Sequence, residues 1–447
     1  MEKNHNMSKK AVRFALWAAC GMALAASAEV IFEAPGPITD KTPGFRFGNV
    51  TFTDNDHVCA KFQSVEFGDG SNGRLTTNQL KIPGKSDRHG AYFKFSFDLR
   101  YAFVSGNGGE SKRCNQGVFF YDRRGRVLPD CYDTLYPGAE MRHYERVLYA
   151  WDEVDSFEVF FQKPWAMSEK NGDRCTLEVA NVKVETATWE DAAAYADSVY
   201  SRLPPIAWTP EGDWTGRLPR TMDALRTGKP WRVVMLGDSI VQDTFHSQFH
   251  ALLKRAFPQS RAEWILSMRG GTGCWHYILA ENFYRYVVDH RPDLLIVGGI
   301  SNGRRHDETA HGRDVGPTGT DAMIRVAKLA RERLGCEVLV VNEPLNVDLR
   351  PHAIPADDRP LPKMDYHPDW LSMVGGGRVD YFGLRNRCKG AGIQWWDAHV
   401  PCYRWLFSSG LPYMHYSRDV VHSGELGKQI IGRIMLGYFL SGEKGAE

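Results

Sequence analysis

A serine hydroxyl becomes a useful nucleophile only where a base can take its proton, and histidine has the pKa for that task near neutrality. Ser239 lies in Gly237-Asp238-Ser239-Ile240, directly after the apolar run Arg232-Val233-Val234-Met235-Leu236. Apolar residues at helical spacing follow it. A serine at a strand-to-helix turn projects its hydroxyl above the sheet, and the helix amino end sets N–H groups and positive dipole beside it. Near the other end of the chain, Asp419-Val420-Val421-His422 puts a carboxylate three residues before an imidazole. That spacing lets Asp419 hold one ring N–H while the other ring nitrogen faces Ser239, the division of labour of a Ser-His-Asp triad.

Acyl transfer also needs donors aimed at the oxyanion of a tetrahedral intermediate, each contributing about 3 kcal/mol to the barrier. Two glycine-rich turns can supply them. Arg269-Gly270-Gly271-Thr272-Gly273-Cys274 follows a second apolar run, and Gly298-Gly299-Ile300-Ser301-Asn302-Gly303 follows a third. Glycine lets a backbone N–H approach a ligand closely, and Asn302 adds an amide side chain at the neighbouring tip.

The elements that must position these groups can be read from periodicity. From Trp231 onward, strands expected over 231–236, 264–268, 294–298, 337–341 and 393–396 alternate with helices over 241–256, 276–288, 322–334, 378–389 and 426–439. Such alternation implies right-handed crossovers and a parallel sheet with both faces covered. Active groups then gather beyond the carboxyl ends of the strands, where Ser239 and both glycine-rich turns fall. Asp238 is placed to cap the helix after the nucleophile.

The preceding half reads differently. Between Val30 and Glu185 short alternating segments, among them 45–53, 91–99, 117–121, 156–162 and 177–184, are parted by turns such as Gly68-Asp69-Gly70-Ser71-Asn72-Gly73. Period-two alternation with frequent turns points to an all-β sandwich. A short helix over 188–203 and a Pro-rich stretch with Trp208 and Trp214 read as an ordered linker. The expected organisation is a leader over 1–28, a β sandwich over 29–187, a linker over 188–230 and an α/β unit over 231–447.

The leader has a basic start (Lys9, Lys10, Arg13), an apolar run over 14–25 and small residues up to Ala28, the anatomy of a secretory signal peptide. Cleavage is expected after Ala28, leaving a secreted or periplasmic protein with no integral membrane segment. Eight of the nine cysteines lie beyond Cys20 in the leader. Disulfides and buried free thiols both fit that number, and the absence of any CxxC argues against structural zinc. No cofactor is implied. Lys and Arg total 55 against 54 Asp and Glu in 447 residues, so no basic field exists to hold a nucleic acid.

Over about 231–440 the sequence resembles the GDSL or SGNH hydrolase family, on the strength of Gly237-Asp238-Ser239, the two glycine-rich turns and Asp419 with His422. The resemblance implies a flavodoxin-like five-stranded parallel sheet, Ser239 as nucleophile and His422 as base oriented by Asp419. It also implies an oxyanion hole made by the Ser239 N–H, a glycine and Asn302. Gly273 fits the family glycine best and Gly271 is the second choice. The family's third block usually reads Gly-x-Asn-Asp, whereas Gly299-Ile300-Ser301-Asn302 carries one residue more and no following Asp. Ser423 and Gly424 follow the histidine where Pro and Asn are common.

With export and a sandwich attached, the expected activity is removal of O-acetyl groups from a carbohydrate, the partner being an acetylated polysaccharide or oligosaccharide. The alternatives are a lipid or aryl-ester hydrolase, and an inactive glycan-binding protein. Trp275, Tyr277, Trp395, Trp396, Tyr403, Trp405 and Tyr416 lie near expected strand ends or the last loop, as core residues or sugar platforms. His246 and His250 stand four apart on a helix without an adjacent Glu, so solvated or core-edge histidines are expected rather than a metal site. His306, Asp307 and His311 lie in a polar loop that either lines a substrate mouth or is simply exposed.

Overall fold

The computed structural model describes residues 28–48, 50–54, 63–67, 74–104, 114–135, 140–162, 174–207, 218–298, 319–342, 381–412, 416–418 and 421–441. Residues 1–27 of the expected 1–28 leader, Cys59, Trp208, Trp214 and the loop of His306, Asp307 and His311 lie outside them, as do Asn302 and Asp419.

Eleven antiparallel strands come first among the described residues: β1 (Val30–Pro37), β2 (Phe45–Gly48), β3 (Val50–Asp54), β4 (Gln63–Phe67), β5 (Arg74–Thr77), β6 (Ala91–Val104), β7 (Cys114–Tyr121), β8 (Cys131–Leu135), β9 (Arg142–Ala150), β10 (Ser156–Gln162) and β11 (Arg174–Ala187). One sheet runs β3-β4-β11-β6-β9 with β1 on β11, and the other runs β2-β5-β10-β7-β8. The period-two pattern read in β6 turns Phe93, Phe95 and Phe97 inward, where all three are buried. Phe93 stacks on Phe157 of the facing sheet with centroids 4.2 Å apart, and Phe97 meets Phe161 edge-on at 4.9 Å. These aromatic contacts make the two sheets a sandwich.

Helix α1 (Trp189–Tyr200) begins with a capping box, Thr188 accepting from the Asp191 N–H while Asp191 accepts from the Thr188 N–H. Helix α2 (Pro219–Thr227) was not expected within the linker stretch. There follow β12 (Pro230–Gly237), α3 (Ser239–Phe245), α4 (Phe249–Ala256), β13 (Arg261–Met268), α5 (Cys274–Tyr277), α6 (Ala280–Phe283) with a π turn at Tyr284–Val288, and β14 (Leu294–Val297). The chain continues with α7 (Gly319–Leu334), β15 (Glu337–Asn342), α8 (Tyr381–Gly390), β16 (Gln394–Asp397), α9 (His399–Ser409) and α10 (Glu425–Leu440).

The five later strands are all parallel and ordered β13-β12-β14-β15-β16. In order of appearance this is 2-1-3-4-5, the flavodoxin-like doubly wound arrangement expected from the family resemblance. The strand order turns back at β12, so the crevice beside its carboxyl end is a natural site. There Gly237 pairs with Met268 of β13, and Leu236 with Val297 of β14, which brings the three strand ends side by side.

Two expected helices differ. The span 241–256 is two helices, because Gln248 takes a left-handed φ of 63° and Ser247 turns its hydroxyl to the Thr244 carbonyl at 2.6 Å. The span 276–288 is divided into α5, α6 and the π turn. One apolar core continues from the sandwich into the α/β unit. Trp151 of the sandwich meets Phe245 edge-on at 5.7 Å, and Phe120 stacks on His246 at 6.0 Å.

Candidate active site

Ser239 is the first residue of α3 and is half-buried at the tip of β12. Asp238 before it is fully buried, and its carboxylate accepts the Ile240 N–H at 2.9 Å, the cap expected from sequence. As the first helical residue, Ser239 has an N–H with no partner inside the helix. His422 arrives from the loop before α10, and its Nε2 lies 2.8 Å from Ser239 Oγ across 183 positions of sequence. The chain therefore brings the two expected reacting groups into hydrogen-bond contact.

The loop around His422 is closed on itself. Arg418 donates its N–H to the His422 carbonyl at 2.9 Å, and the Gly424 N–H reaches the Tyr416 carbonyl at 2.9 Å. Ser417 and Ser423 form an isolated antiparallel bridge. Asp243, one turn after Ser239 on α3, accepts the Ser423 N–H at 2.9 Å. Sequence reading gave Asp243 and Arg418 no role, since a lone acid on a helix and a lone base in a loop carry no pattern.

The glycine-rich turn after β13 stands beside this pair. Gly273 is buried and extended at the amino end of α5, whereas Gly271 is exposed with a left-handed φ of 68°. Tyr277 of α5 ties the two strand tips together: its hydroxyl donates to the Gly237 carbonyl at 2.5 Å and accepts the Arg269 N–H at 2.9 Å. Burial pushes its phenol well above the ordinary range, so it stays a donor. Cys274 Sγ reaches the Gly298 carbonyl at 2.9 Å, joining this turn to the end of β14.

All seven aromatics singled out as core or platform are buried, between 0% and 8% exposed, and therefore serve the core. Tyr277 is the one among them with a polar task beside Ser239. His246 and His250 are not solvated or at the core edge: both are fully inside, at 4% and 2% exposed. Cys131, Cys336, Cys388 and Cys402 are buried free thiols, Cys114 and Cys274 are buried as well, and burial raises the thiol pKa of Cys131 to about 11. No described helix is long and apolar enough to cross a membrane.

No protein-family model matches the chain, and neither does any curated protein. Among solved structures, a two-domain esterase active on acetylated mannans is 14% identical over 52% of this chain and 53% of its own, with a TM-score of 0.35. The chain thus spans about half the length of that structure. A catalytic mutant of an acetylxylan esterase from Geobacillus stearothermophilus is 12% identical over 47% of this chain and 94% of its own, at a TM-score of 0.33. A xylan-binding domain from Paenibacillus barcinonensis is 9% identical over 36% of this chain and 95% of its own, at 0.25.

Proposed function

We propose that the protein is a secreted SGNH-type serine esterase that removes O-acetyl groups from a carbohydrate. The observation that carries the hydrolase reading is the 2.8 Å contact of His422 Nε2 with Ser239 Oγ, at a helix amino end on the switch point of a doubly wound sheet. The acetylated sugar rests on the family resemblance, the export leader and the attached sandwich.

In this mechanism His422 Nε2 takes the hydroxyl proton as Ser239 Oγ attacks the ester carbonyl carbon. The carbonyl electron pair moves onto oxygen, and the Ser239 N–H, the Gly273 N–H and the Asn302 amide stabilise it. The intermediate collapses, His422 returns the proton to the departing sugar oxygen, and acetyl-Ser239 remains. Water, deprotonated by His422, attacks the acyl carbon; acetate leaves and the proton returns to Ser239. Asp419 holds the other ring nitrogen of His422 and stabilises the imidazolium.

Acetate release from acetylated mannan, xylan and pectin, run beside Ser239→Ala, tests the reading. The variant is expected to lose activity by at least about 10³-fold while melting like the wild type. Unchanged acetate release from Ser239→Ala would sink the proposal. Activity confined to lipid micelles would keep the nucleophile and replace the carbohydrate.

A further inference from the structure

Five charged side chains are buried where β8 of the sandwich meets α3, α10 and the His422 loop. Asp133, Arg146, Asp243, Arg418 and Lys428 are each between 1% and 5% exposed. On the sandwich side, Asp133 pairs with Arg146 of β9 and accepts from Lys428 Nζ at 2.9 and 3.0 Å. Burial alone would raise the Asp133 carboxyl, but Arg146 and Lys428 outweigh it and hold it at about 2.

The other side grips the loop. Arg418 Nη1 donates to the Tyr132 carbonyl of β8 at 2.8 Å, lies 3.4 Å from Asp243 Oδ1, and its guanidinium sits 3.8 Å over the Tyr132 ring. The Arg418 carbonyl accepts from Thr134 Oγ1 of β8 at 3.1 Å. Arg418 is itself bonded to the His422 backbone, and Asp243 to that of Ser423. The residue that delivers the imidazole is thus held from both flanks, once by the nucleophile's own helix and once by a strand of the sandwich.

Desolvating five charges costs several kcal/mol per ion, and an apolar cluster of the same volume would fill the space without that penalty. Charged hydrogen bonds add direction, which greasy packing lacks. Direction matters here because a displacement of about 1 Å between reacting groups can cost 10²-fold in rate.

We propose that the sandwich is a working part of the catalytic centre: Tyr132, Asp133 and Thr134 of β8, through Arg418 and Lys428, act with Asp243 as positioning residues that hold His422 against Ser239. The inference rests on the hydrolase reading above. It assigns β8 a role in turnover that is independent of glycan binding, so it applies equally to a small ester that never touches the sandwich.

The test measures kcat and KM on p-nitrophenyl acetate and the rate at which a fluorophosphonate labels Ser239, with a melting curve for each variant. Thr134→Val keeps the shape and removes the hydroxyl, which at 3.1 Å faces both the Arg418 carbonyl of the loop and Asn115 Oδ1 of β7. It is expected to lower kcat and labelling about 3- to 10-fold with KM unchanged. Asp133→Asn, which unpairs buried cations, is expected to lower both about 10- to 100-fold. Asp243→Asn keeps an acceptor for the Ser423 N–H and should retain more activity than Asp243→Ala. Should Asp133→Asn fail to fold, Thr134→Val and the Asp243 pair still decide. Cooperatively melting Thr134→Val and Asp243→Ala proteins with kcat and labelling within twofold of wild type would overturn the inference. No labelling of the wild type, with Ser239→Ala fully active, would instead overturn the hydrolase reading.

Discussion

Gly237 shows how little space surrounds the nucleophile. A Cβ on it would lie 2.3 Å from Val241 Cγ2 and 3.2 Å from the Gly298 carbonyl carbon, so α3 and the end of β14 close over the strand tip only because no side chain is there. The same residue offers its carbonyl to Tyr277, fixing the peptide two positions before Ser239. Gly237→Ala must therefore push α3 outward or twist the tip. Overpacking of this kind costs about 1 to 3 kcal/mol, and the displaced hydroxyl should lower kcat by more than about 10-fold. Urea unfolding together with turnover of a small acetyl ester checks both numbers; wild-type stability and kcat would show that the crowding is relieved without moving Ser239.

At the scale of elements, the close approach of α10 to the α3–α4 break is the contact that sets where His422 emerges. A Cβ at Gly432 of α10 would fall 2.5 Å from Ser247 Oγ and 2.7 Å from its Cβ. Gly432→Ala should cost about 1 to 3 kcal/mol, read as a lower midpoint in urea at unchanged slope. An unaltered midpoint would mean that α10 shifts freely. This contact also explains what the sequence concealed. The apolar strands of the parallel sheet were legible because burial on both faces leaves continuous runs, and β6 was legible because one buried face leaves strict alternation. The break in 241–256 has no Pro or Gly to announce it; Ser247 and Gln248 bend there under tertiary contact. Helix α9 was not among the expected helices; it carries Pro401 in its first turn, where proline is tolerated. For the site, Ser239 and His422 were legible from residue type and place between elements. Asp243, Arg418 and Asp133 were not, since Arg418 and Asp243 are 175 positions apart and each alone resembles an ordinary surface charge.

The whole molecule carries a further consequence of joining a sandwich to an α/β unit through buried side chains. His250 of α4 meets Tyr92 of β6, Nδ1 to hydroxyl at 2.8 Å, and its Nε2 is buried without a hydrogen-bond partner. Burial pushes its pKa down to about 3. His246 is lowered in the same way, and burial followed by Arg269 and Arg285 lowers His276 to about 4. A histidine depressed in the folded state binds its proton first in the unfolded chain, whose pKa is about 6.5. The stability these residues contribute is therefore complete above pH 6.5 and is lost as pH falls from there toward 4 and 3. Each costs about 1.4 kcal/mol per pH unit in that window, so all three together can remove up to about 4 kcal/mol per unit. Against a typical 5 to 15 kcal/mol, unfolding is expected between about pH 4 and 5. Asp133 adds to the loss only below its unfolded pKa of 3.8, as pH falls toward its folded value of about 2. Unfolding free energy from urea titrations between pH 6 and 5 should therefore slope by nearly three protons, and His250→Phe, which removes one of them, should reduce the slope by about one. An identical slope in the variant would show that the interface accepts the charge on His250, by water entry or by separation of the two units, before the protein unfolds.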